Sequence, residues 1–279
     1  MTLPSTTRRA LGAASILALS LAPLALTGTA HAETFTGAAV DGDARLVYTA
    51  VSGVKNQVVA SVRWNTAEDE LIYVIDDSIR IQAGGPCSHP DKDDLTRVRC
   101  VVTPPEGADP YPTLTMNLGD DQDSVRFTNT TKQTYFFNKF ALGPGADRFV
   151  GTTDAIDGSL VLGQGGEDTI KAGPRAAAIG GIGNDRLTVV GKDSAASGGS
   201  GNDQIWGSAG PQHLIGSAGD DRIWGGSGND TLLGEEGNDS LWGQPGDDKI
   251  FGANGDDRIW GGLGKDVLRG GPGKNVVKQ

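Results

Sequence analysis

Gly225-Gly226-Ser227-Gly228-Asn229-Asp230-Thr231-Leu232-Leu233 decides how the rest of the chain is read. It is one of nine consecutive nine-residue units that fill residues 198–278, starting at Gly198, Gly207, Gly216, Gly225, Gly234, Gly243, Gly252, Gly261 and Gly270. An in-phase copy, Gly180–Thr188, and a worn one, Val189–Ser197, precede them. Gly163–Lys171 is a further copy, but the next unit, Ala172–Ile179, is one residue short. A short fixed period means stacked repeats, each contacting its neighbours, rather than one large core. Two earlier stretches, Gly119-Asp120-Asp121-Gln122-Asp123 and Gly143-Pro144-Gly145-Ala146-Asp147, read as worn copies of the same motif.

The unit reads G-G-x-G-x-D-x-U-x, with U a large aliphatic residue. This pattern resembles the RTX, or haemolysin-type, calcium-binding repeat. The resemblance implies a six-residue turn and a three-residue strand per unit, with two units to a coil. The expected fold is all-β: a right-handed parallel β-roll (β-solenoid) of nonapeptide repeats preceded by an irregular β-rich N-terminal region. The letters have physical reasons. Glycine adopts positive φ and lets adjacent turns stack closely. Asn or Asp at the fifth position (Asn184, Asn202, Asp220, Asn229, Asn238, Asp247, Asp256) tolerates left-handed backbone. The sixth-position Asp offers a hard oxygen to Ca²⁺, and turn carbonyls complete the coordination. The eighth residue (Leu187, Ile205, Leu214, Ile223, Leu232, Leu241, Ile250, Ile259, Leu268, Val277) is expected to point inward.

With two units per coil, an ion lies between turns eighteen residues apart on one edge. The first edge carries Asp185, Asp203, Asp221, Asp239 and Asp257, then Asn275; the second carries Ser194, Gln212, Asp230, Asp248 and Asp266. Neighbouring aspartates make four sites on the first edge and two on the second, so about six Ca²⁺ ions are expected. Asp168 is a weaker candidate because of the slipped unit, and Asn275 a weaker one because it lacks a carboxylate. Asp also favours ordinary turns, but its recurrence at one position in nine favours calcium. No D-x-D-x-D-G loop ends in a glutamate at position twelve, which excludes an EF-hand.

A second column is aromatic. Trp206, Trp224, Trp242 and Trp260 recur every eighteen residues at the ninth position. Coils about 4.8 Å apart would stack these indoles as a ladder, with Arg222 and Arg258 placed for cation–π contacts. The ladder has two readings: it stabilises the sheet, or it forms a surface that binds a cell-surface glycan or protein.

The chain has 279 residues, of which 43 are glycine and 13 proline; 30 glycines lie in residues 163–279. Only 37% of residues are hydrophobic, which argues against one bulky core, and no three-residue glycine period suggests collagen. Residues 1–32 read as a secretory signal peptide: Arg8 and Arg9, an apolar stretch to about Leu26, and Ala30-His31-Ala32 before Glu33. A membrane anchor is the competing reading, opposed by Pro23 and the short apolar run. Secretion is therefore expected, by the general or the twin-arginine route. Losing Arg8 and Arg9 takes the net charge from −11 to −13. Such a balance disfavours nucleic acid and favours cations. Past residue 32 no segment is apolar enough to span a bilayer. Cys87 and Cys100, thirteen positions apart in an exported chain, suggest a disulfide.

Residues 33–118 carry short Val-, Ile-, Thr- and Tyr-rich runs (Ala44–Val51, Gln57–Trp64, Leu71–Ile75, Ser78–Gln82, Thr96–Val102, Thr113–Leu118) and are read as a β-rich region. They resemble the segment that precedes such repeats in some secreted bacterial calcium-binding proteins. Residues 119–162 are read as degenerate, transitional repeats and 163–279 as the roll. No H-E-x-x-H is present, so the catalytic half of an RTX metalloprotease is missing. His89 reads as a surface-loop residue and His213 as an outward strand residue. The expected function is secreted, non-enzymatic calcium binding, with a repeat domain that folds and rigidifies on Ca²⁺ and serves structure or adhesion. The alternatives are a haemolysin-like toxin, for which no pore-forming segment exists, or a carbohydrate-active protein with a site in 33–162. Asp76, Asp77, Asp120, Asp121 and Asp123 supply acids for the latter.

Overall fold

Each repeat ends in x-U-x, one apolar residue between two polar or aromatic ones. In an extended strand this alternation sends U to one face and its neighbours to the other. A computed structural model describes residues 36–41, 45–67, 70–104, 112–131 and 137–279. The signal-peptide reading of residues 1–32 lies outside the described residues.

In chain order the first strands are β1 (Thr36–Val40), β2 (Leu46–Thr49), β3 (Gln57–Trp64), β4 (Leu71–Asp76), β5 (Ile81–Ala83), β6 (Cys87–Ser88), β7 (Arg97–Val102), β8 (Pro112–Asn117) and β9 (Ser124–Asn129). Then follow β10 (Phe137–Pro144), β11 (Arg148–Val150), β12 (Ser159–Gly165), β13 (Thr169–Ala172), β14 (Ala177–Ile182), β15 (Arg186–Val189), β16 (Ser194–Ser200) and β17 (Gln204–Trp206). The last are β18 (Gln212–Ala218), β19 (Arg222–Trp224), β20 (Thr231–Glu236), β21 (Ser240–Pro245), β22 (Lys249–Asn254), β23 (Arg258–Leu263), β24 (Val267–Arg269) and β25 (Val276–Lys278). No helix occurs among the described residues.

From β8 onward, even-numbered strands build one sheet and odd-numbered strands the other. Each strand pairs in parallel with the strand two further along, as Ile205↔Ile223 on β17 and β19 and Leu214↔Leu232 on β18 and β20 show. This is a parallel β-solenoid, as the repeat resemblance implies. The short unit is absorbed without breaking either sheet. β12 pairs with β14 at an offset of seventeen (Leu160↔Ala177), and β14 with β16 at eighteen (Ala177↔Ala195).

The N-terminal region belongs to the same two sheets. β2 pairs in parallel with β8, and β3 with β9, so β2 and β3 are the first coil. Between that coil and the next, β4 to β7 fold out as a cap. β4 runs antiparallel to β3 and β7, and β6 runs antiparallel to β7. β1 covers β2, and β5 lies on β1. The divisions read at 118/119 and 162/163 therefore mark no change of architecture, and β12 spans the second of them. The physical reason is that a solenoid's end strand exposes unpaired N–H and C=O groups, which the cap strands pair. Cys87 and Cys100 form a disulfide that ties β6 to β7.

One core runs through both sheets. At the capped end it is aromatic: Phe140 packs against Phe127 and Phe149, with ring centroids 5.0 and 4.8 Å apart. Along the roll it thins to the eighth-position column, from Leu187 to Ile259, every member fully buried. Leu268, on edge strand β24, is only partly buried, and Val277, on edge strand β25, is 43% exposed. With so few apolar atoms per coil, each one matters. Ile223→Ala is expected to destabilise the roll by about 2–5 kcal/mol, read from urea unfolding in saturating Ca²⁺; a loss below about 1 kcal/mol would show that this column does not hold the coils together.

Candidate metal centre

Every first-edge turn places its sixth residue at the start of an odd-numbered strand. One Asp oxygen, Oδ1, accepts a hydrogen bond from the backbone N–H of the corresponding residue one coil earlier. The distances are 2.7 Å from Asp185 to Asp203, 2.7 Å from Asp203 to Asp221, 2.9 Å from Asp221 to Asp239 and 3.0 Å from Asp239 to Asp257. Asp257 N–H donates to Asn275 Oδ1 at 2.8 Å. The second edge repeats the pattern from Gln212 to Asp230, Asp230 to Asp248 and Asp248 to Asp266, at 2.9, 2.8 and 2.9 Å. A fifth-position ladder runs the opposite way beside it, as Asp220 N–H to Asn202 Oδ1 shows.

The other oxygen of each carboxylate has no partner. Oδ2 of Asp185, Asp203, Asp221, Asp239, Asp257, Asp230 and Asp248 is buried and accepts no hydrogen bond. It lies where the first glycine of its unit lacks a side chain: a Cβ built on Gly180, Gly198, Gly216, Gly234 or Gly252 would collide with Oδ2 of its own Asp and approach the carbonyl of the first glycine one coil on. Burial pushes the carboxyls of Asp221 and Asp230 up to about 7, and those of Asp203 and Asp239 up to about 6, against the pull of the backbone N–H each accepts. Burial also raises Asp185, Asp248 and Asp257. A buried anionic oxygen without a donor is costly, and a cation bound beside it removes that cost. No group of three or more His, Cys, Asp or Glu side chains gathers to hold a metal among the described residues. Each turn offers one or two carboxylates, so backbone carbonyls must complete any ion site.

Where the Asp is missing, the substitutes show which carbonyls are available. Gln212 Nε2 donates to Gly191 O at 2.9 Å and to Ala209 O at 3.0 Å, bridging two successive turns. Ser194 Oγ lies 3.2 Å from the carbonyls of Gly173, Val190 and Gly191. Asn275 Nδ2 donates to Gly271 O at 2.9 Å. These neutral side chains stand against turn carbonyls where the other units place a carboxylate. The residues of the Asp turns thus fit Ca²⁺: one hard unpartnered oxygen, inward carbonyls and no cationic side chain. Asp266 departs from this pattern, since it is only half-buried and its Oδ2 accepts from Gln279 Nε2 at 2.7 Å.

A protein-family description, RTX calcium-binding nonapeptide repeat, matches residues 179–211, 206–241 and 242–277. Residues 179–277 are RTX calcium-binding repeats. Calcium is accordingly the ion of the RTX roll. Comparison with curated proteins and with solved structures gave no match. The unpartnered column reaches beyond the matched repeats. Asp168, the weaker candidate, is fully buried, its Oδ2 is free, and its N–H donates to Asp185 Oδ1 at 2.8 Å. Asp147 and Asp123 continue the ladder, and Asn56 begins it. Their signal was visible in the worn G-x-G-x-D and G-D-D-x-D fragments, but irregular spacing hid the shared register.

The tryptophans stack as expected. Centroids of Trp206, Trp224, Trp242 and Trp260 are 5.1, 4.9 and 5.0 Å apart, with planes within 4° of parallel. The rings are half-buried, and each inner ring has both faces covered by its neighbours. Neither Arg222 nor Arg258 lies over them. Among the described residues, Arg269 does sit over a ring, 5.8 Å from Phe251 on the opposite sheet. Stacking takes both faces of Trp224 and Trp242 and one face of each end ring. His213 points outward and is exposed, and His89 Nδ1 lies 2.9 Å from Arg97 O.

Two outcomes follow for the RTX roll. Gln212→Asp replaces a donor with a carboxylate facing Asp230, and native mass spectrometry is expected to show one additional bound Ca²⁺; an unchanged count would refute the assignment of Gln212 as an ion substitute. In calcium-free buffer, the raised carboxyl pKa values mean the folded state holds protons that the unfolded chain releases above about pH 4. Stability without calcium is therefore expected to fall as pH rises from about 4 through 7. A thermal midpoint that climbs over that range would contradict it.

Proposed function

We propose that this chain is a secreted, non-enzymatic calcium-binding protein whose RTX roll folds and rigidifies on Ca²⁺ and acts as a structural element outside the cell. The observation that carries this reading is the repeated buried Asp Oδ2 without a protein partner. About six ions would occupy the neighbouring pairs of the roll. Extracellular modules hold Ca²⁺ with Kd of roughly 10⁻⁴–10⁻³ M. At about 1 mM Ca²⁺, each site then adds roughly 0.4–1.4 kcal/mol. Six such sites contribute about 2–8 kcal/mol, a large share of a domain's typical 5–15. The signal-like residues 1–32 and the acidic charge support secretion into calcium-containing surroundings.

Support for a non-enzymatic role comes from what the acidic residues do. Asp76 pairs with Arg97, Asp77 accepts from Tyr48 and from Gln57 N–H, and Asp120 accepts from Ser52 and Gly53 N–H. Each serves a local structural contact. The concavity that holds one of these acids, lined by Ser52, Asn117, Gly119, Asp120 and Gln164, carries a single carboxylate rather than the pair that glycoside hydrolysis ordinarily uses. The Trp ladder supports a structural role over glycan binding, because a sugar stacks on an open ring face and the inner faces here are filled. A protein partner gripping the ladder's exposed edges is the adhesive form of the same proposal.

Calcium-coupled folding is tested by far-UV circular dichroism of the secreted chain during calcium titration. Chelation is expected to abolish most of the β signal and re-addition to restore it. A spectrum indifferent to chelator would contradict the reading.

A further inference from the structure

We propose that the cation column continues beyond the RTX repeats, with divalent-cation sites at the Asp123 and Asp147 turns. The inference rests on the calcium reading of the roll and extends it to residues that the repeat family does not match.

The Asp123 and Asp147 turns share the backbone form of the ion-binding turns. In the roll, the second and fourth turn positions have positive φ, 117° at Gly181 and 139° at Gly183. The Asp123 turn has 90° at Gly119 and 93° at Asp121, and the Asp147 turn has 107° at Gly143 and 155° at Gly145. A non-glycine residue held at φ 93° is strained, which shows how firmly the turn form is imposed. The glycines bring the turns close: a Cβ on Gly143 would collide with the Gly119 carbonyl, and one on Gly145 with the Asp121 carbonyl.

The hydrogen-bond ladder is also continuous. Asp168 Oδ1 accepts the Asp147 N–H at 2.9 Å, Asp147 Oδ1 accepts the Asp123 N–H at 2.7 Å, and Asp123 Oδ1 accepts the Asn56 N–H at 2.6 Å. Asp123 and Asp147 are each only 2% exposed, and Oδ2 of each is buried with no hydrogen-bond partner. Neither carboxylate is paired with Lys or Arg among the described residues. Like the roll aspartates, each holds a carboxylate oxygen out of water with no donor to satisfy it. Asn56 ends the column as Asn275 does at the far end, with Nδ2 donating to Leu118 O at 3.2 Å and Val54 O at 2.8 Å. Amide donors close both ends of the row.

One departure sets the strength of these sites. Register places Leu142 opposite Gly163 and Leu118 opposite Leu142, so leucine replaces the first glycine in both turns. A Cβ built at this position in the next turn, on Gly163, would meet Asp168 Oδ2, so leucine takes room that glycine leaves there, and the two sites are expected to be weaker than those of the roll. Their consequence lies next to the cap. A cation between Asp123 and Asp147 joins the coil of β8 and β9, on which the cap's first coil stacks, to that of β10 and β11.

Three further neighbour pairs (Asp123/Asp147, Asp147/Asp168 and Asp168/Asp185) raise the expected total from six to about nine. Native mass spectrometry of the full secreted chain at millimolar Ca²⁺ is the test. Wild type is expected to carry about nine ions and Asp123→Asn/Asp147→Asn about two fewer, while Asp221→Asn loses ions from the roll. Asn is the native residue at both column ends, and Asp147→Ser, which copies the ion-free Ser194 turn, is the reserve if the double variant does not fold. A wild-type count of six or fewer, or an unchanged count in the double variant while Asp221→Asn loses ions, overturns the proposal and leaves the roll intact. Wild type without bound calcium overturns the underlying reading as well.

Discussion

Each ion-binding turn buries a carboxylate oxygen that no group in the protein satisfies. Oδ1 is taken by a backbone N–H one coil away, and Oδ2 faces only carbonyl-rich turns. Stacked at every coil, these oxygens also repel one another. Their burial is tolerable with a proton or with a cation. The proton explains why burial raises the carboxyl pKa values, and the cation explains why the chain repeats such an arrangement at all.

Much else in the molecule follows. Glycine at the first position leaves room for Oδ2, and glycine at the fourth permits the left-handed turn. Those requirements remove bulk from the roll and leave one aliphatic side chain per strand to face the interior. A core that thin needs help from ions along the turns and from the Trp ladder along one sheet. The aromatic core and antiparallel cap at the other end close the solenoid by ordinary packing. Ser194 and Gln212 show a third arrangement, in which a neutral side chain hydrogen-bonds to turn carbonyls where the other units place a carboxylate.

The roll was legible in the sequence because its period is fixed. Asp185 to Asp257, the inward aliphatic column and the Trp ladder are all set by counting in nines and eighteens. Asp123 and Asp147 escaped because their spacings, twenty-four and twenty-one residues to the next member, follow longer strands and turns. Strand pairing restores the register that counting loses. The cap was legible as strands but not as part of the roll, since β2 meets β8 across a long insertion that local alternation does not encode. Gln212 and Ser194 were legible as lost ligands; that they act as donors depends on where their side-chain atoms point.

The most direct test is a crystal structure of the calcium-loaded chain, with ions located by anomalous scattering. Density is expected beside Oδ2 of Asp185, Asp203, Asp221, Asp239, Asp230 and Asp248, and none is expected at Gln212 Nε2 or Ser194 Oγ. Aspartate turns without ions, or ions equally placed at the Gln212 and Ser194 turns, would contradict the claim that calcium satisfies the unpartnered carboxylate oxygen.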